Sequence, residues 1–339
     1  MGRALNLIRM GRRAFPRSKT GSGATDINGG LIHIDFDRVW LVNRYTIAVS
    51  VAQAFTGIPA SSDVRRFFTQ AQLIVDKGQG QKMSFYDAYD LARMNKQVPA
   101  PVVVLGANST ATFLFDLEGF NDGAVGDLVT SWLTGKYSAL ALELTVAPDA
   151  NNGFIGGTVP LVANYQVEVM PHELRDQTPA NRGDMTSGWG VAERAIKPQT
   201  TQAVGVNGGE FDVNLTAGGK CRFVSIHAFD AAAYGNPTDA IFNNGGRITM
   251  EVDGFKYFDN TALSSIKQAN VSDRNMPAVG MILLDFGDDP HGWVDMRNAK
   301  DIKFHLSIPA SANLPAAGRL EFSQDYTLGL ENLKGSLQA

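Results

Sequence analysis

Along most of this chain, apolar and polar residues alternate in short runs, which is the period of a half-buried β-strand. Ala163-Asn164-Tyr165-Gln166-Val167-Glu168-Val169 is the plainest instance. A first procession of β-type runs covers residues 31–36, 44–51, 67–75, 111–117, 139–146 and 162–169. A second covers 210–215, 221–229, 246–252, 279–286, 303–308 and 319–322. Turn chemistry separates them, as in Gly78-Gln79-Gly80, Asn121-Asp122-Gly123 and Asn151-Asn152-Gly153. Helical patterns are few and short: 85–94, 124–133 and 261–268. Without long helices between strands a parallel α/β fold is excluded. The expected fold is all-β: two consecutive antiparallel jelly-roll sandwiches with short helices in loops.

The second procession is a faint copy of the first. Leu73-Ile74-Val75-Asp76-Lys77-Gly78 matches Met250-Glu251-Val252-Asp253-Gly254. Phe113-Leu114-Phe115-Asp116 matches Ile282-Leu283-Leu284-Asp285, and Leu142 to Val146 matches Phe304 to Ile308. Taking Asp76, Asp116 and Val146 as equivalent to Asp253, Asp285 and Ile308, the offset falls from 177 to 169 to 162. A one-way drift keeps the order of elements while loops shorten. Duplicated β-modules suit pseudo-symmetric building work better than a single catalytic centre. The expected organisation is a basic arm (1–30), a first jelly roll (31–170), a surface linker (171–205), a second jelly roll (206–329) and a tail (330–339).

Composition sharpens this picture in three places. The 339 residues are 44% hydrophobic and 19% charged, enough for two cores of ordinary size. The single cysteine, Cys221, excludes an intrachain disulfide and a multi-cysteine zinc site, and its apolar context reads as a buried thiol. The net charge of −4 hides a basic N-terminus: Arg3, Arg9, Arg12, Arg13, Arg17 and Lys19 precede the first acid, Asp26. Leu5, Ile8 and Met10 are interleaved with them at roughly helical spacing. The arm is expected as a short amphipathic helix ordered on contact, and an anionic membrane surface suits it better than nucleic acid or a plain solvated tail. No run of 18 apolar residues exists, and the N-terminus makes a poor secretory signal.

Candidate chemistry is sparse. His33, His227 and His305 lie within strand-like runs and read as structural or surface imidazoles. No HExxH or spaced Cys/His set is present, so a zinc site is not expected. Asp285, Asp288 and Asp289 form the most site-like cluster, a weak calcium candidate. The competing reading is a solvated turn after a strand, and no Glu completes a calcium loop. The glycine pairs lack the Lys-Ser/Thr of a phosphate loop, and no Gly-x-Ser-x-Gly elbow occurs. An enzyme, or any bound cofactor, is not supported. Trp189, Trp293 and Tyr234 lie in loop-like stretches, as stacking platforms or interface residues would.

Taken together, the arm, the two β-modules and the paired Val-Asp turns at 73–78 and 249–254 resemble double jelly-roll major capsid proteins. The likeness is to tailless icosahedral phages with an internal membrane, corticovirus-like and related, and it spans nearly the whole chain. It implies a non-enzymatic virion protein, made in the host cytoplasm, forming homotrimeric, pseudo-hexagonal capsomers. It also implies neighbouring capsomers, penton or minor capsid proteins and an internal membrane as partners, the last contacted through the arm. Nucleic acid is not expected as a direct partner. The alternative is a secreted double-sandwich protein that binds or processes glycans, which should carry a secretory signal and a convergent aromatic or carboxylate cluster.

Overall fold

A computed structural model describes residues 7–10, 17–21, 30–36, 41–51, 68–75, 82–84, 111–118, 132–133, 138–146, 165–176, 193–217, 219–231, 237–274, 279–286 and 293–328. The chain divides into two compact units, one of residues 1–193 with 329–339 and the other of 194–328.

In the first unit, β1 (Leu7–Met10), β2 (Arg17–Gly21), β3 (Leu31–Asp35), β4 (Leu41–Val51) and β5 (Phe68–Val75) are followed by β6 (Lys82–Ser84), β7 (Ala111–Glu118), β8 (Trp132–Leu133), β9 (Leu140–Val146) and β10 (Tyr165–Asp176). One sheet runs β1-β10-β4-β7, with β2 also on β10 and β8 on β4; the other runs β3-β9-β5-β6. In the second unit, β11 (Glu193–Val204), β12 (Gly209–Asp212), β13 (Lys220–Phe229), β14 (Arg247–Val252) and β15 (Phe255–Ala262) lead into helix α1 (Leu263–Arg274). After it come β16 (Met281–Asp285), β17 (Val294–Asp295), β18 (Ile302–Ile308) and β19 (Gly318–Leu328). Its sheets run β11-β19-β13-β16, with β17 on β13, and β12-β18-β14-β15.

These two topologies are the same. Lettering each unit's eight main strands B to I in chain order gives sheets B-I-D-G and C-H-E-F twice. In the first unit β1 and β2 lie end to end in the B position, and in the second β11 fills it. This is the antiparallel jelly roll, made in tandem.

Ladder registers carry the duplication to single residues. Val75 stands opposite Leu140 in the first unit, and Val252 opposite Ile302 in the second. The first pair maps onto the second with offsets of 177 and 162, the values that the sequence matches require at those strands.

Burial follows the pattern that built the strands. Ile32 and Ile34 of β3 are buried between exposed neighbours, and β14 and β18 bury Ile248, Met250, Val252, Phe304, Leu306 and Ile308 on one face. Strand β13 is buried on both faces, which suits its nearly unbroken apolar run. The second unit's core also takes in Ile241, Phe242, Leu263 and Phe322.

Three expectations change. The described part of the arm is extended, with β1 and β2 antiparallel to β10, in place of an amphipathic helix. Strand β10 otherwise presents one open edge, and a row of unpaired backbone groups there favours an added strand over a free helix. The stretch 171–205 is not a plain linker, since its ends belong to β10 and β11. The pattern at 124–133 ends in strand β8, paired with β4. The expected helix at 85–94 lies outside the described residues, whereas the one at 261–268 is α1.

Candidate assembly surfaces

A protein that builds must present edges and faces, and both can be traced to residues. The C-H-E-F sheet of the second unit ends on β15, an edge strand with most of its residues exposed. A two-residue turn sends it back from β14. Asp253 (φ 47°) and Gly254 (φ 83°) both adopt the left-handed conformation that such a hairpin requires. The Asp253 carboxylate accepts hydrogen bonds from the amides of Lys300 and Asp301, each at 2.9 Å, and its own amide donates to the Asp301 carbonyl at 2.8 Å. Those amide donors, that of Asp301 foremost, hold its pKa below the usual aspartate value. The repeated Asp of the sequence is therefore, in the second unit, a turn anchor.

On that edge Phe255 (65% exposed) meets Tyr257 edge-to-face at a centroid distance of 4.9 Å. Tyr257 in turn meets Phe286 at 5.7 Å. Burial, with Asp295 nearby, raises the Tyr257 phenol pKa. An aromatic row along an open strand edge is suited to contact with another protein surface and offers no catalytic group.

The opposite kind of edge is closed. Strand β16 ends the B-I-D-G sheet, and α1 lies along it. Buried Asn270 accepts from the Leu283 amide at 2.7 Å and donates to the Leu283 carbonyl at 2.9 Å, while Lys267 donates to the Met281 carbonyl at 2.9 Å. One side-chain amide thus takes the place of a neighbouring strand.

The remaining candidate residues disperse. Asp285 closes β16 opposite Phe223, and Asp288 and Asp289 lie outside the described residues. Among the described residues no group of three His, Cys, Asp or Glu side chains forms a metal site. Of the arm's cations, Arg9, Arg17 and Lys19 stand in strands opposite Leu174, Val169 and Val167, and Arg3, Arg12 and Arg13 lie outside the described residues. Cys221 is free and fully buried, and desolvation, with Asp325 second, pushes its thiol far above the reactive range. Trp293 is buried with the Arg222 guanidinium 5.9 Å from its ring, so it is not an exposed platform. Trp189 and Tyr234 lie outside the described residues. His33 and His305 are on solvated sheet faces and His227 is buried. The sequence reading missed α1's role at the β16 edge, for which Asn270 in an otherwise ordinary helix is no signal.

Two complete jelly rolls in one chain, alike in strand order and register, define the double jelly-roll fold. Solved structures with that likeness include the major capsid protein P2 of bacteriophage PM2, 10% identical, covering 91% of this chain and 97% of that one with a TM-score of 0.54. The PBCV-1 protein VP54, fitted into a reconstruction of the virophage Sputnik, is 12% identical, with coverages of 96% and 94% and a TM-score of 0.60. A chain of Sulfolobus turreted icosahedral virus is 10% identical, with coverages of 92% and 90% and a TM-score of 0.60. No family model matches the chain, and no curated protein matches it in sequence. At these identities the likeness lies in the fold.

Proposed function

We propose that this chain is a major capsid protein, a non-enzymatic component of a virion shell. The observation that carries the reading is the tandem jelly roll itself, shared over more than nine-tenths of both chains with the PM2 capsid protein. Three copies of a two-module chain give six near-equivalent modules, so a homotrimer can occupy a six-fold position of an icosahedral lattice. In this reading the trimer is the capsomer, neighbouring capsomers and penton or minor capsid proteins are its partners, and it lies over an internal membrane. Arg3, Arg9, Arg12, Arg13, Arg17 and Lys19 are the arm's contact with anionic headgroups; Arg9, Arg17 and Lys19 stand in strands β1 and β2, whose pairing uses their backbone groups. The glycan-binding alternative is not favoured: the similar PM2 structure is a major capsid protein, and buried Trp293 is no stacking platform.

Light scattering of the purified chain tests the reading. The expected species has three times the 36.5 kDa chain mass. A monomer that persists at high concentration overturns the capsomer. Deleting residues 1–25 would remove β1 and β2, so the membrane contact is tested with Arg3, Arg12 and Arg13 changed to Gln. The trimer should persist while binding to anionic liposomes falls; undiminished binding overturns the arm's role.

A further inference from the structure

The solvated face of the C-H-E-F sheet carries a histidine cluster in each unit, at equivalent cross-strand positions. In the first unit His33 on strand C faces Glu143 on strand H across the ladder, with Nδ1 2.9 Å from Oε1. Its Nε2 lies 3.2 Å from the Asp35 carboxylate, two residues along the same strand. In the second unit His305 on strand H faces Asp212 on strand C, with Nδ1 2.7 Å from Oδ1. Its Nε2 lies 2.7 Å from Glu210, whose other oxygen accepts from the Ser307 hydroxyl at 2.7 Å. The strand H offset of 162 makes Glu143 equivalent to His305, and the ladders then make His33 equivalent to Asp212. One cross-strand position therefore holds the same pair twice, with acid and imidazole exchanged between strands.

Both ring nitrogens of each histidine face a carboxylate oxygen. Only the imidazolium, which has two N–H donors, satisfies both at once. Strand C ends its sheet in each unit, so the His33–Glu143 bond and both bonds of His305 tie an edge strand to its single partner, while the His33–Asp35 bond stays within strand C. We propose that the two clusters are one protonation-dependent latch, used once per module with opposite polarity, which fixes edge strand C to strand H when the imidazole is charged and loosens it when the proton leaves.

The surroundings leave the carboxylates as the groups that set the charge. Around His305, β14 contributes Thr249 directly opposite, with Arg247 and Glu251 two places to either side. Arg247 donates to the Asn260 carbonyl, and Glu251 is paired with Lys303, which also pairs with Asp301. Around His33, β5 contributes Gln72 opposite Glu143, with Lys82 of β6 beyond it. Strand β2, which carries Arg17 and Lys19, also packs against β3. Both imidazoles have pKa values raised above the usual 6.5, chiefly by the hydrogen bonds they donate to Glu143 and Asp212, against a partial loss from burial. A raised folded-state pKa gives stability that is complete below the unfolded value and is lost as pH rises through the folded one. The latch is therefore closed below the ordinary imidazole pKa and opens as pH rises through the raised one.

Hydrogen exchange of the full-length protein, followed in peptides covering residues 31–36 and 209–215, tests this at pH 6 and pH 8.5. His305→Gln should speed exchange in 209–215 about two- to five-fold over wild type at pH 6, the range of an exposed ion pair, and leave it unchanged at pH 8.5. His33→Gln should do the same in 31–36. The exchanged variant Asp212→His/His305→Asp, which gives the second unit the first unit's polarity, should restore wild-type protection at pH 6. Equal effects at both pH values, or none at pH 6, overturn the latch. An exchanged variant no better protected than His305→Gln overturns the equivalence of the two clusters.

Discussion

Asp253 shows how much chemistry one repeated residue can hide. Its left-handed backbone makes the hairpin, and its carboxylate, bonded to two amides, locks that hairpin to residues 300–301. Because those bonds favour the ionised form, the contribution is present above the ordinary aspartate pKa and is lost as pH falls through the lowered one. Asp253→Asn keeps the backbone preference and an acceptor while removing the charge. Its melting midpoint should lie below wild type at pH 7, and the difference should shrink as the pH drops below about 4. Thermal melts across that range check it, and a constant difference would assign the residue a purely conformational role. From the sequence, Val-Asp-Gly is legible as a turn because its residue types prefer that backbone. What the carboxylate holds is not legible, since its partners lie nearly fifty residues away and are backbone amides, which leave no mark on residue identity.

Among the elements, the central strands and the edge strands C and G were readable in both units, and the B and F strands were not. Strands β13, β14, β16 and β18 carry apolar residues in runs or strict alternation, because each is sandwiched against a core. The B strands pair with strand I alone. Strand β11 includes Pro198, and β2 reads Arg-Ser-Lys-Thr-Gly, compositions that an edge tolerates and a central strand does not. The same blindness therefore produced both the expected helical arm and the expected linker, at equivalent places in the two modules. Strand β15, Phe-Lys-Tyr-Phe-Asp-Asn-Thr-Ala, escaped for the same reason. The Asn270 bridge at the β16 edge gives a direct test of edge protection. Asn270→Leu leaves the buried amide and carbonyl of Leu283 without this partner and should cost about 1–3 kcal/mol. Chemical denaturation measures it, and a change well below 1 kcal/mol would mean that α1 covers the edge by packing alone.

At the scale of the whole molecule, the duplication was legible because three matched segments keep their order, and the ladders explain why the offsets differ. Each strand keeps its register while the loops between strands change length. The second unit has its core within its own boundaries, from Val204 to Phe322. Residues 194–328, expressed alone, should therefore melt cooperatively, with an unfolding enthalpy of roughly 0.7 kcal/mol per residue near 60 °C. Calorimetry would show a broad, weak transition if the unit needs the rest of the chain to fold.

In each module the first strand made pairs with the last. Strand β1 emerges from the ribosome more than a hundred residues before β10, and β11 more than a hundred before β19. At about 5–20 residues per second, each B strand waits several seconds or longer for its partner. An apolar, uncharged strand left open for that time would recruit another nascent chain. Cations in β1 and β2, and a proline in β11, keep the waiting strand soluble until its own module closes over it.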